Sequence, residues 1–234
     1  MKKTFDLTVV VPFYNEEKYF YESISRLIEQ KFITEVILVN DASTDGSLEL
    51  AKNIIKKDKR LKLINLNKNS GKGNAVKEAL KIVKTTHVIV HDADLEYDPK
   101  DIYTMFNVLS LNADSLILGS RTLEKRENQN RYLITYIGNK YLTKLFSFLN
   151  NYKLSEIASC YWLIETEKLK KMNITEKGFG IEVEVLSKHI RSGGKIFEVP
   201  ISYKGRTYED GKKIRFKDGL NILFKIIKFS KILN

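Results

Sequence analysis

Short apolar runs alternate with longer amphipathic stretches through the first half of this 234-residue chain, and this alternation limits its possible folds. The runs are rich in Val, Ile and Leu and are too continuously apolar for strands with one wet face, so they predict buried strands. The predicted strands are 7–11, 35–40, 61–66, 87–91 and 115–119. The predicted helices between them are roughly 16–30, 47–57, 72–84 and 99–110. Strands alternating with helices predict an α/β fold with a doubly wound, mainly parallel sheet.

The second half of the chain contains fewer and more varied elements. "CYWLIE" at 160–165 predicts a further strand, and 181–191 predicts a helix. "KIFEVPISY" at 195–203 predicts an edge strand, because an edge position tolerates Pro200. Neither a repeat nor a linker divides the chain, so we expect a single domain over 1–234.

The charge and cysteine content limit the partners and the compartment. Forty Lys and Arg against 29 Asp and Glu give a formal charge of +11, which favours phosphorylated molecules or anionic membranes. The charge is not organised with aromatic residues into a recognised motif, so we expect no nucleic-acid partner. Cys160 is the only cysteine, which excludes a disulfide framework and predicts a reducing cytoplasm. We expect neither a signal peptide nor a transmembrane span.

Polar segments follow all five strands that are predicted in the first half. They are "PFYNEE", "NDASTDGS", "NKNSGKGN", "HDADLEYD" and "GSR". Ligands of open α/β sheets bind beyond the carboxyl ends of the strands. The five segments therefore predict one site that handles phosphates and a metal ion.

The segment "HDADLEYDP" places several carboxylates close together. Asp92 and Asp94 leave the strand on the same side, so both can ligate one Mg²⁺ only if the chain bends or one works through water. Glu96 is expected as an auxiliary ligand. The alternative is a solvated acidic turn, and for Asp98 we favour a cap on the helix that begins near Pro99.

The other strand exits offer further candidate ligands. Asp41 can accept hydrogen bonds from a base or a ribose, whereas Asp45 is expected to make the turn and Ser47 to cap the next helix. Lys72 and its flanking glycines at a helix N-terminus can approach an anion, although a simple turn explains them equally well. Arg121 can neutralise a leaving diphosphate or hold an anionic acceptor.

Taken together, these segments resemble the family 2 glycosyltransferases, and within them the dolichol-phosphate mannose synthase-like group. The motifs that carry the resemblance are "VVVPFYNEE", "ILVNDASTDGS", "NSGKGNAVKEAL", "HDADLEYDP", "GSR", "GNK" at 138–140 and "VPISYKGRTYEDGKKI" at 199–214. The resemblance implies a GT-A fold. It divides the domain into a nucleotide-sugar-binding half (1–121), an acceptor-side half (122–214) and a C-terminal amphipathic helix (215–234).

The resemblance also implies an inverting transfer of a hexose from a GDP- or UDP-sugar, with Mg²⁺ or Mn²⁺ on the acidic motif. The expected nucleotide-binding residues are Pro12, Tyr14, Glu16, Asp41, Lys72 and Asp92. The expected metal ligands are Asp92, Asp94 and Glu96. The residues expected beside the phosphates of donor and acceptor are Arg121, Arg131, Arg206 and Lys213, and Asp94 is expected to be catalytic together with Arg121 and Arg131.

A polyprenyl phosphate is the expected acceptor. A sugar hydroxyl must lose a proton as it attacks, whereas a phosphate monoester is already ionised near neutral pH, so positioning and charge stabilisation suffice. A basic protein without an obvious catalytic histidine suits this acceptor. A glycan or lipid-linked saccharide acceptor remains an alternative, as does a non-catalytic protein that binds nucleotide or lipid.

One segment departs from the pattern of the family. Many relatives have a motif similar to "LTDMETCYK" where this chain has "LSEIASCYW" at 154–162. Glu156 keeps a negative charge and is a candidate catalytic residue. Ala158 and Trp162 remove polar groups near the expected acceptor side, which is the reason for considering a non-catalytic relative.

The C-terminal segment combines apolar and basic residues. Leu220, Phe224 and Ile227 alternate with Lys225 and Lys228. A basic amphipathic helix predicts an interfacial anchor on an anionic membrane, which would place the protein peripherally at the cytoplasmic face. The alternative is a helix that packs on the domain with its lysines in water.

Overall fold

The sheet has seven strands in this computed structural model, which describes residues 5–123, 133–207, 209 and 216–232. The strands are β1 (Leu7–Phe13), β2 (Glu35–Asn40), β3 (Leu61–Asn65), β4 (His87–Val90), β5 (Leu116–Ser120), β6 (Trp162–Glu165) and β7 (Ile196–Pro200). Each of them lies within or overlaps a run that the sequence predicted to be a strand. The α/β class is therefore confirmed.

Helices cover both faces of the sheet. They are α1 (Glu17–Ile28), α2 (Ser47–Ile54), α3 (Lys72–Leu80), α4 (Lys100–Leu111), α5 (Leu133–Asn150), α6 (Thr166–Lys171), α7 (Ile181–Arg191) and α8 (Phe216–Phe229). In α1, Phe20, Ile24 and Leu27 recur at helical spacing, and all three are fully buried against the sheet. This spacing is the reason that α1 forms where the sequence predicted a helix.

The order of the strands creates a crevice at one edge of the sheet. The order is β3-β2-β1-β4-β6-β5-β7, and β1 pairs in parallel with both β2 and β4. The chain winds from β1 out to β3 and then returns to the other side of β1. Ligands bind at such a switch point, beyond the carboxyl ends of the strands. The segments that follow β1 and β4 therefore lie side by side.

β6 runs against the direction of its neighbours. It pairs antiparallel with both β4 and β5, whereas β7 pairs in parallel with β5 at the edge of the sheet. The edge position predicted for β7 is confirmed. Because β6 is reversed, it begins at the edge of the sheet where β4 and β5 end.

Two apolar layers fill the space between the sheet and the helices. Val9 and Val11 of β1 face one layer and Val10 faces the other, as strand alternation requires. Trp162 is fully buried in the second layer, which also contains Phe146 of α5. This layer also contains Ile157 and Val183. The predicted effect of Trp162 on the acceptor side stays a prediction.

The helices α5 and α8 pack against each other beside the crevice. Phe146 of α5 and Ile226 of α8 are fully buried there. The predicted C-terminal helix is thus observed as α8. Within the described ranges, no helix combines the length and the apolar character needed to cross a membrane.

Candidate active site

A cavity of about 380 Å³ opens at the carboxyl ends of the central strands. The residues nominated from the sequence that line it are Pro12, Tyr14, Glu16, Asp41, Lys72, Asp92, Asp94, Glu96, Arg121 and Arg206. Glu156 lies behind Arg121 and contacts it. Arg131 and Lys213 lie outside the described residues. The structure therefore brings together nearly all of the side chains that the motifs indicated.

A larger groove of about 1070 Å³ lies at the opposite edge, beside the amino ends of β5 and β7. Its described lining includes several Lys side chains but only one acidic residue, Asp114. None of the polar strand exits contributes to it. The chemistry predicted from the sequence is concentrated in the smaller cavity.

The acidic segment after β4 forms a tight turn in the cavity wall. Leu95 has a φ of 61°, a left-handed conformation that costs a non-glycine residue about 1–2 kcal/mol. Oδ1 of Asp94 accepts a hydrogen bond from the backbone N of Glu96 at 3.1 Å and stabilises the turn. The chain thus bends after Asp92, which is one of the two conditions under which Asp92 and Asp94 can ligate the same metal ion. Both carboxylates line one cavity.

Lys72 lies between two carboxylates from different elements. Its Nζ is 2.8 Å from Oδ1 of Asp92 and 2.9 Å from Oε1 of Glu182, at the start of α7. Burial acts to lower the pKa of Lys72, but the charges of Asp92 and Glu182 outweigh it and hold that pKa well above its ordinary value. Burial likewise acts to raise the pKa of Asp92, but Lys72 outweighs it and lowers that pKa. Asp92 is therefore held ionised.

The N-terminus of α3 is covered by protein. A Cβ on Gly71 would clash with the carbonyl oxygen of Lys177, and one on Gly73 would lie 2.5 Å from the carbonyl oxygen of Glu176. The backbone N of Asn74 donates to the same Lys177 oxygen at 3.1 Å. The glycines thus allow close packing and the lysine is held by carboxylates, but Gly71 and Lys72 also line the cavity. The approach of an anion to Lys72 stays a prediction.

Asp41 organises the loop that precedes α3. Its two carboxylate oxygens accept hydrogen bonds from the backbone N of Ser70 at 2.8 Å and of Gly71 at 2.7 Å. Each oxygen retains a second lone pair that can accept a further hydrogen bond. The nucleotide-binding role of Asp41 stays a prediction.

The predicted turn and cap residues have different outcomes. Ser47 is the first residue of α2, and its hydroxyl accepts a hydrogen bond from the backbone N of Glu16 at 2.8 Å, so the predicted cap is wrong. Asp45 makes the expected turn by accepting from the backbone N of Ser47 at 3.0 Å. Asp98 accepts from the backbone N of Lys100, the first residue of α4, at 3.0 Å, as a cap would.

Arg206 places a guanidinium among the acidic side chains of the cavity. Its Nη1 donates to Glu16 at 2.9 Å, and its Nη2 donates to Oδ2 of Asp94 at 3.0 Å. Burial together with the neighbouring charges of Glu96 and Asp92 nevertheless raises the pKa of Asp94 to about 8, against the opposing effect of Arg206. Arg206 therefore offsets only part of the negative charge.

Glu96 fixes the segment that carries Arg206. Its carboxylate accepts hydrogen bonds from the hydroxyl of Tyr203 at 2.8 Å and from the backbone N of Arg206 at 2.7 Å. In this arrangement Glu96 anchors residues 203–206. Its auxiliary metal role stays a prediction.

A backbone hydrogen bond joins residues 203–206 directly to the acidic turn. The backbone N of Lys204 donates to the carbonyl oxygen of Glu96 at 2.8 Å. An isolated antiparallel bridge between Tyr97 and Tyr203 lies beside it. The two loops therefore form one wall of the cavity, and a shift of residues 203–206 would also displace Asp94.

Arg121 is held by a buried acid at the far end of the cavity. Its backbone N donates to Oε2 of Glu156 at 2.7 Å and its Nε donates to Oε1 at 2.8 Å, with Nη2 contacting the same carboxylate. The guanidinium also lies 4.6 Å from the ring centre of Tyr203, and Nη2 donates to the carbonyl oxygen of Ala158 at 3.0 Å. Glu156 thus positions Arg121 at the cavity wall.

Apolar side chains also line the cavity. They are Ile157, Phe179, Val183 and Ile222, and α5 contributes Asn139. Phe179 is also exposed to solvent. The cavity thus combines charged side chains at the carboxyl end of β4 with apolar side chains, one of which, Ile222, belongs to α8.

Two functional candidates were missed in the sequence. Glu182 is 6% exposed and lines the cavity, and Tyr203 links Glu96 to Arg121. The signal for Glu182 was an acid within the otherwise apolar start of α7, "GIEVEV" at 180–185. The signal for Tyr203 was weaker, because an aromatic residue after an edge strand is common.

The acids of the site do not form a complete metal cage by themselves. Among the residues that the structure describes, no three or more His, Cys, Asp or Glu side chains are arranged to hold a metal ion. Mg²⁺ commonly takes one or two protein carboxylates and completes its shell with water and substrate phosphates. Asp92 and Asp94 fit this smaller requirement.

Comparisons with known proteins agree with this geometry. The sequence model described as Glycosyl transferase family 2 matches residues 8–172. Glycosyltransferase AglJ of Haloferax volcanii is 29% identical over 230 residues, covering 97% of this chain and 72% of the relative. Undecaprenyl-phosphate mannosyltransferase of Micrococcus luteus is 25% identical over 213 residues, covering 87% and 85%.

A solved structure shows the same fold at lower identity. Glucosyl-3-phosphoglycerate synthase from Mycobacterium tuberculosis, in complex with Mn²⁺, uridine diphosphate and glucosyl-3-phosphoglycerate, superimposes with a TM-score of 0.75. The two chains are 16% identical, and the match covers 99% of this chain and 82% of the other. The GT-A fold expected from the resemblance is confirmed.

The chain belongs to glycosyl transferase family 2 and is a glycosyltransferase.

Proposed function

We propose that this glycosyltransferase moves a hexose from a nucleotide sugar to a polyprenyl phosphate at a membrane surface, with inversion at the anomeric carbon. A phosphate oxygen of the acceptor forms the new bond to C1 of the hexose. The bond from C1 to the diphosphate breaks, and the nucleoside diphosphate leaves with the electron pair. The observation that carries the proposal is one cavity that is lined both by charged side chains at the end of β4 and by the apolar side chains of Ile157, Phe179, Val183 and Ile222, which we assign to the acceptor end.

The donor nucleotide is assigned to the charged end. Pro12, Tyr14 and Asp41 line the cavity where β1 and β2 end, which is the position at which α/β sheets bind nucleotides. The diphosphate then lies toward the turn of Asp92 and Asp94. This order leaves the hexose between the diphosphate and the acceptor end.

Asp92 and Asp94 would hold a Mg²⁺ or Mn²⁺ ion, which would neutralise the charge that develops on the leaving diphosphate. The acidic turn needs such positive charge, because Arg206 offsets it only in part. Lys72 keeps Asp92 ionised, and Glu96 holds residues 203–206 against the turn. Lys72 and Glu96 thus position the groups that would bind the diphosphate, and neither takes part in making the new bond.

The acceptor phosphate is assigned to the end near Arg121. Glu156 and Tyr203 fix the guanidinium at the cavity wall, where it attracts an anionic acceptor. The apolar lining from Ile157, Phe179 and Ile222 suits the first part of an isoprenoid chain. Such an acceptor attacks as an ionised phosphate, so no general base is required.

The outer faces of α5 and α8 support a membrane location. Both helices contribute to the acceptor end, and α5 contains no acidic residue. The exposed apolar side chains on these helices are Ile137, Tyr141, Phe148, Leu220, Phe224 and Ile227. Lysines lie among them, including the exposed Lys140 and Lys228. Apolar side chains flanked by lysines suit the interface of an anionic bilayer.

A transfer assay with radiolabelled nucleotide sugars tests the proposal. The enzyme is incubated with Mn²⁺ and with labelled UDP-glucose or GDP-mannose, and undecaprenyl phosphate in vesicles is offered as the acceptor. We expect label to enter the organic phase as an acid-labile lipid phosphate sugar. Label that partitions only with added glycans would reject the polyprenyl phosphate and favour the glycan acceptor.

A small phosphorylated acid is a second candidate acceptor. The structural neighbour has been solved in complex with phosphoglyceric acid, which is a soluble phosphate. The same assay with 3-phosphoglycerate in place of the lipid distinguishes this acceptor, since labelled product then stays in the aqueous phase. The exposed apolar faces of α5 and α8 would have no role with such an acceptor.

A further inference from the structure

A partly buried ion pair joins α8 to segment 175–180, which precedes α7. Nζ of Lys225 on α8 lies 2.6 Å from Oε2 of Glu176, and the two side chains are 22% and 8% exposed. The other oxygen of Glu176 accepts a hydrogen bond from the backbone N of Gly178 at 3.1 Å. Burial acts to raise the pKa of Glu176, but the hydrogen bonds from Lys225 and Gly178 outweigh it and lower that pKa. Glu176 is therefore held ionised, and it ties α8 to this segment.

Segment 175–180 lies in close contact with elements on both of its sides. A Cβ on Gly73, in α3, would lie 2.5 Å from the carbonyl oxygen of Glu176. A Cβ on Gly180 would lie 2.8 Å from Cγ of Lys225, in α8. Closely packed groups transmit strain, because no flexible side chain lies between them to absorb a small shift. A displacement of segment 175–180 is therefore passed on to the start of α3.

The start of α3 in turn holds a residue of the donor end. The backbone N of Gly71 donates to Oδ2 of Asp41 at 2.7 Å, and both residues line the cavity. The carbonyl oxygen of Lys177 lies against Gly71, where a Cβ would clash with it. Contacts thus run without a break from Lys225 on α8, through segment 175–180, to the carboxylate beside which the donor nucleotide is assigned.

We propose that Glu176 and Lys225 are positioning residues through which α8 sets the nucleotide site, acting through Gly71 rather than on the ligand. The inference rests on the proposed function, because it requires the donor nucleotide beside Asp41. Without the ion pair, segment 175–180 withdraws from the start of α3, and Gly71 no longer fixes the carboxylate of Asp41 in one orientation. The helix α8 is then a determinant of donor affinity as well as the proposed contact with the membrane.

Calorimetric titration of the intact protein with nucleotide tests the inference without any turnover. UDP and GDP are titrated into the wild type with Mn²⁺ present, and the nucleotide that binds more tightly is kept. Lys225→Met removes the charge but retains most of the length of the side chain. We expect this variant to bind the nucleotide at least about fivefold more weakly, which is the lower end of typical coupling between separate sites. Lys225→Arg keeps the charge and should restore most of the affinity.

Glu176→Gln completes a double-mutant cycle with Lys225→Met. The amide keeps an oxygen for the backbone N of Gly178 but has no charge to attract Lys225. Because each single substitution removes the same contact, the double variant should bind the nucleotide no more than about twofold more weakly than Lys225→Met alone. Losses that multiply in the double variant would show that the two residues act separately, and would overturn the role of the pair.

Lys170→Met is the matched control, since it removes an ion pair of α6 whose members do not line the cavity. Nζ of Lys170 lies 3.1 Å from Oε1 of Glu167 and donates to the carbonyl oxygen of Val83 at 3.0 Å. Its substitution should at most lower the unfolding midpoint and should leave the nucleotide affinity unchanged.

Two results separate a failure of the inference from a failure of the proposed function. If Lys225→Met lowers only the unfolding midpoint, as the control does, the ion pair merely stabilises the fold and the inference is overturned. A wild type that binds neither UDP nor GDP overturns the proposed donor site itself.

Discussion

Nη2 of Arg206 lies 3.0 Å from Oδ2 of Asp94, so a guanidinium from the C-terminal half neutralises part of the acidic turn that follows β4. A divalent ion at Asp94 has to share this carboxylate with Arg206 or replace it there. The pair thus joins the acidic turn to residues 203–206, which Glu96 also holds.

Asp94→Asn should abolish transfer and leave the fold intact. The substitution removes the charge that would bind the metal ion but keeps the shape of the side chain, including an oxygen for the backbone N of Glu96. Product formation is measured alongside the far-ultraviolet circular dichroism spectrum. Asp98→Asn is the control, because Asp98 contacts Lys100 and Arg26 and should affect stability more than transfer.

Removal of divalent metal should stop transfer, and its readdition should restore the activity. An ion on Asp92 and Asp94 would stabilise the leaving diphosphate, so chelation with EDTA should lower the rate by at least about tenfold, and Mg²⁺ or Mn²⁺ in excess should recover it. Unchanged turnover with EDTA would reject the metal role of both residues.

Glu156→Ala should destabilise the protein by about 3–5 kcal/mol, because it leaves the buried charge of Arg121 without its partner. Urea denaturation measures the free energy of unfolding. Glu156→Asp keeps the charge and should lose less stability, although its shorter side chain weakens the contact with Arg121. Equal losses in the two variants would show that the charge is not what holds Arg121.

His91 should make stability fall on acidification. Burial lowers the pKa of His91 to about 4 from 6.5, so between these values the unfolded chain binds a proton that the native protein does not. The free energy of unfolding should decrease as pH falls through this window, by at most about 1.4 kcal/mol per pH unit. In His91→Gln this part of the slope should vanish, and parallel stability curves for the two proteins would contradict the assignment.

Phe224→Glu should weaken binding to vesicles that contain phosphatidylglycerol. Phe224 is 70% exposed on α8, and a carboxylate there adds repulsion and removes apolar area from the contact. Co-sedimentation with vesicles measures the bound fraction. Leu111→Glu is the matched control, because Leu111 is 85% exposed at the end of α4, beside the groove at the opposite edge. Equal binding by the wild type and Phe224→Glu would contradict a membrane contact through α8.

Much of the sheet could be predicted because its strands are continuous apolar runs. Such runs define buried strands without any knowledge of their neighbours. The reversed direction of β6 could not be predicted, since the sequence of a strand carries little information about which strands flank it. The face of the sheet that Trp162 occupies could not be predicted for a related reason: all three apolar residues of this short strand are buried, so its composition does not distinguish the two faces.

The residues of the candidate site could be predicted individually, but the contacts between their side chains could not. Asp92, Asp94 and Arg121 were identified because they follow strands at one edge of the sheet. The pairing of Lys72 with two carboxylates could not be predicted, because glycines beside a lysine occur both around phosphates and where two backbones pack closely, as Gly71 does against Lys177. Glu182 was missed because the lysine that holds it is remote in sequence and adjacent only in the fold.

The reversal of β6 has a consequence for how this enzyme can diversify. β5 ends and β6 begins at the same edge of the sheet, so both ends of the connection between them lie there. This connection supplies Asn139 and Ile157 to the cavity, while Phe146 and Glu156 tie it to the core and to Arg121. If the proposed function holds, we expect exchange of this connection between relatives, with Phe146 and Glu156 kept, to change the acceptor preference and to leave the donor preference unchanged.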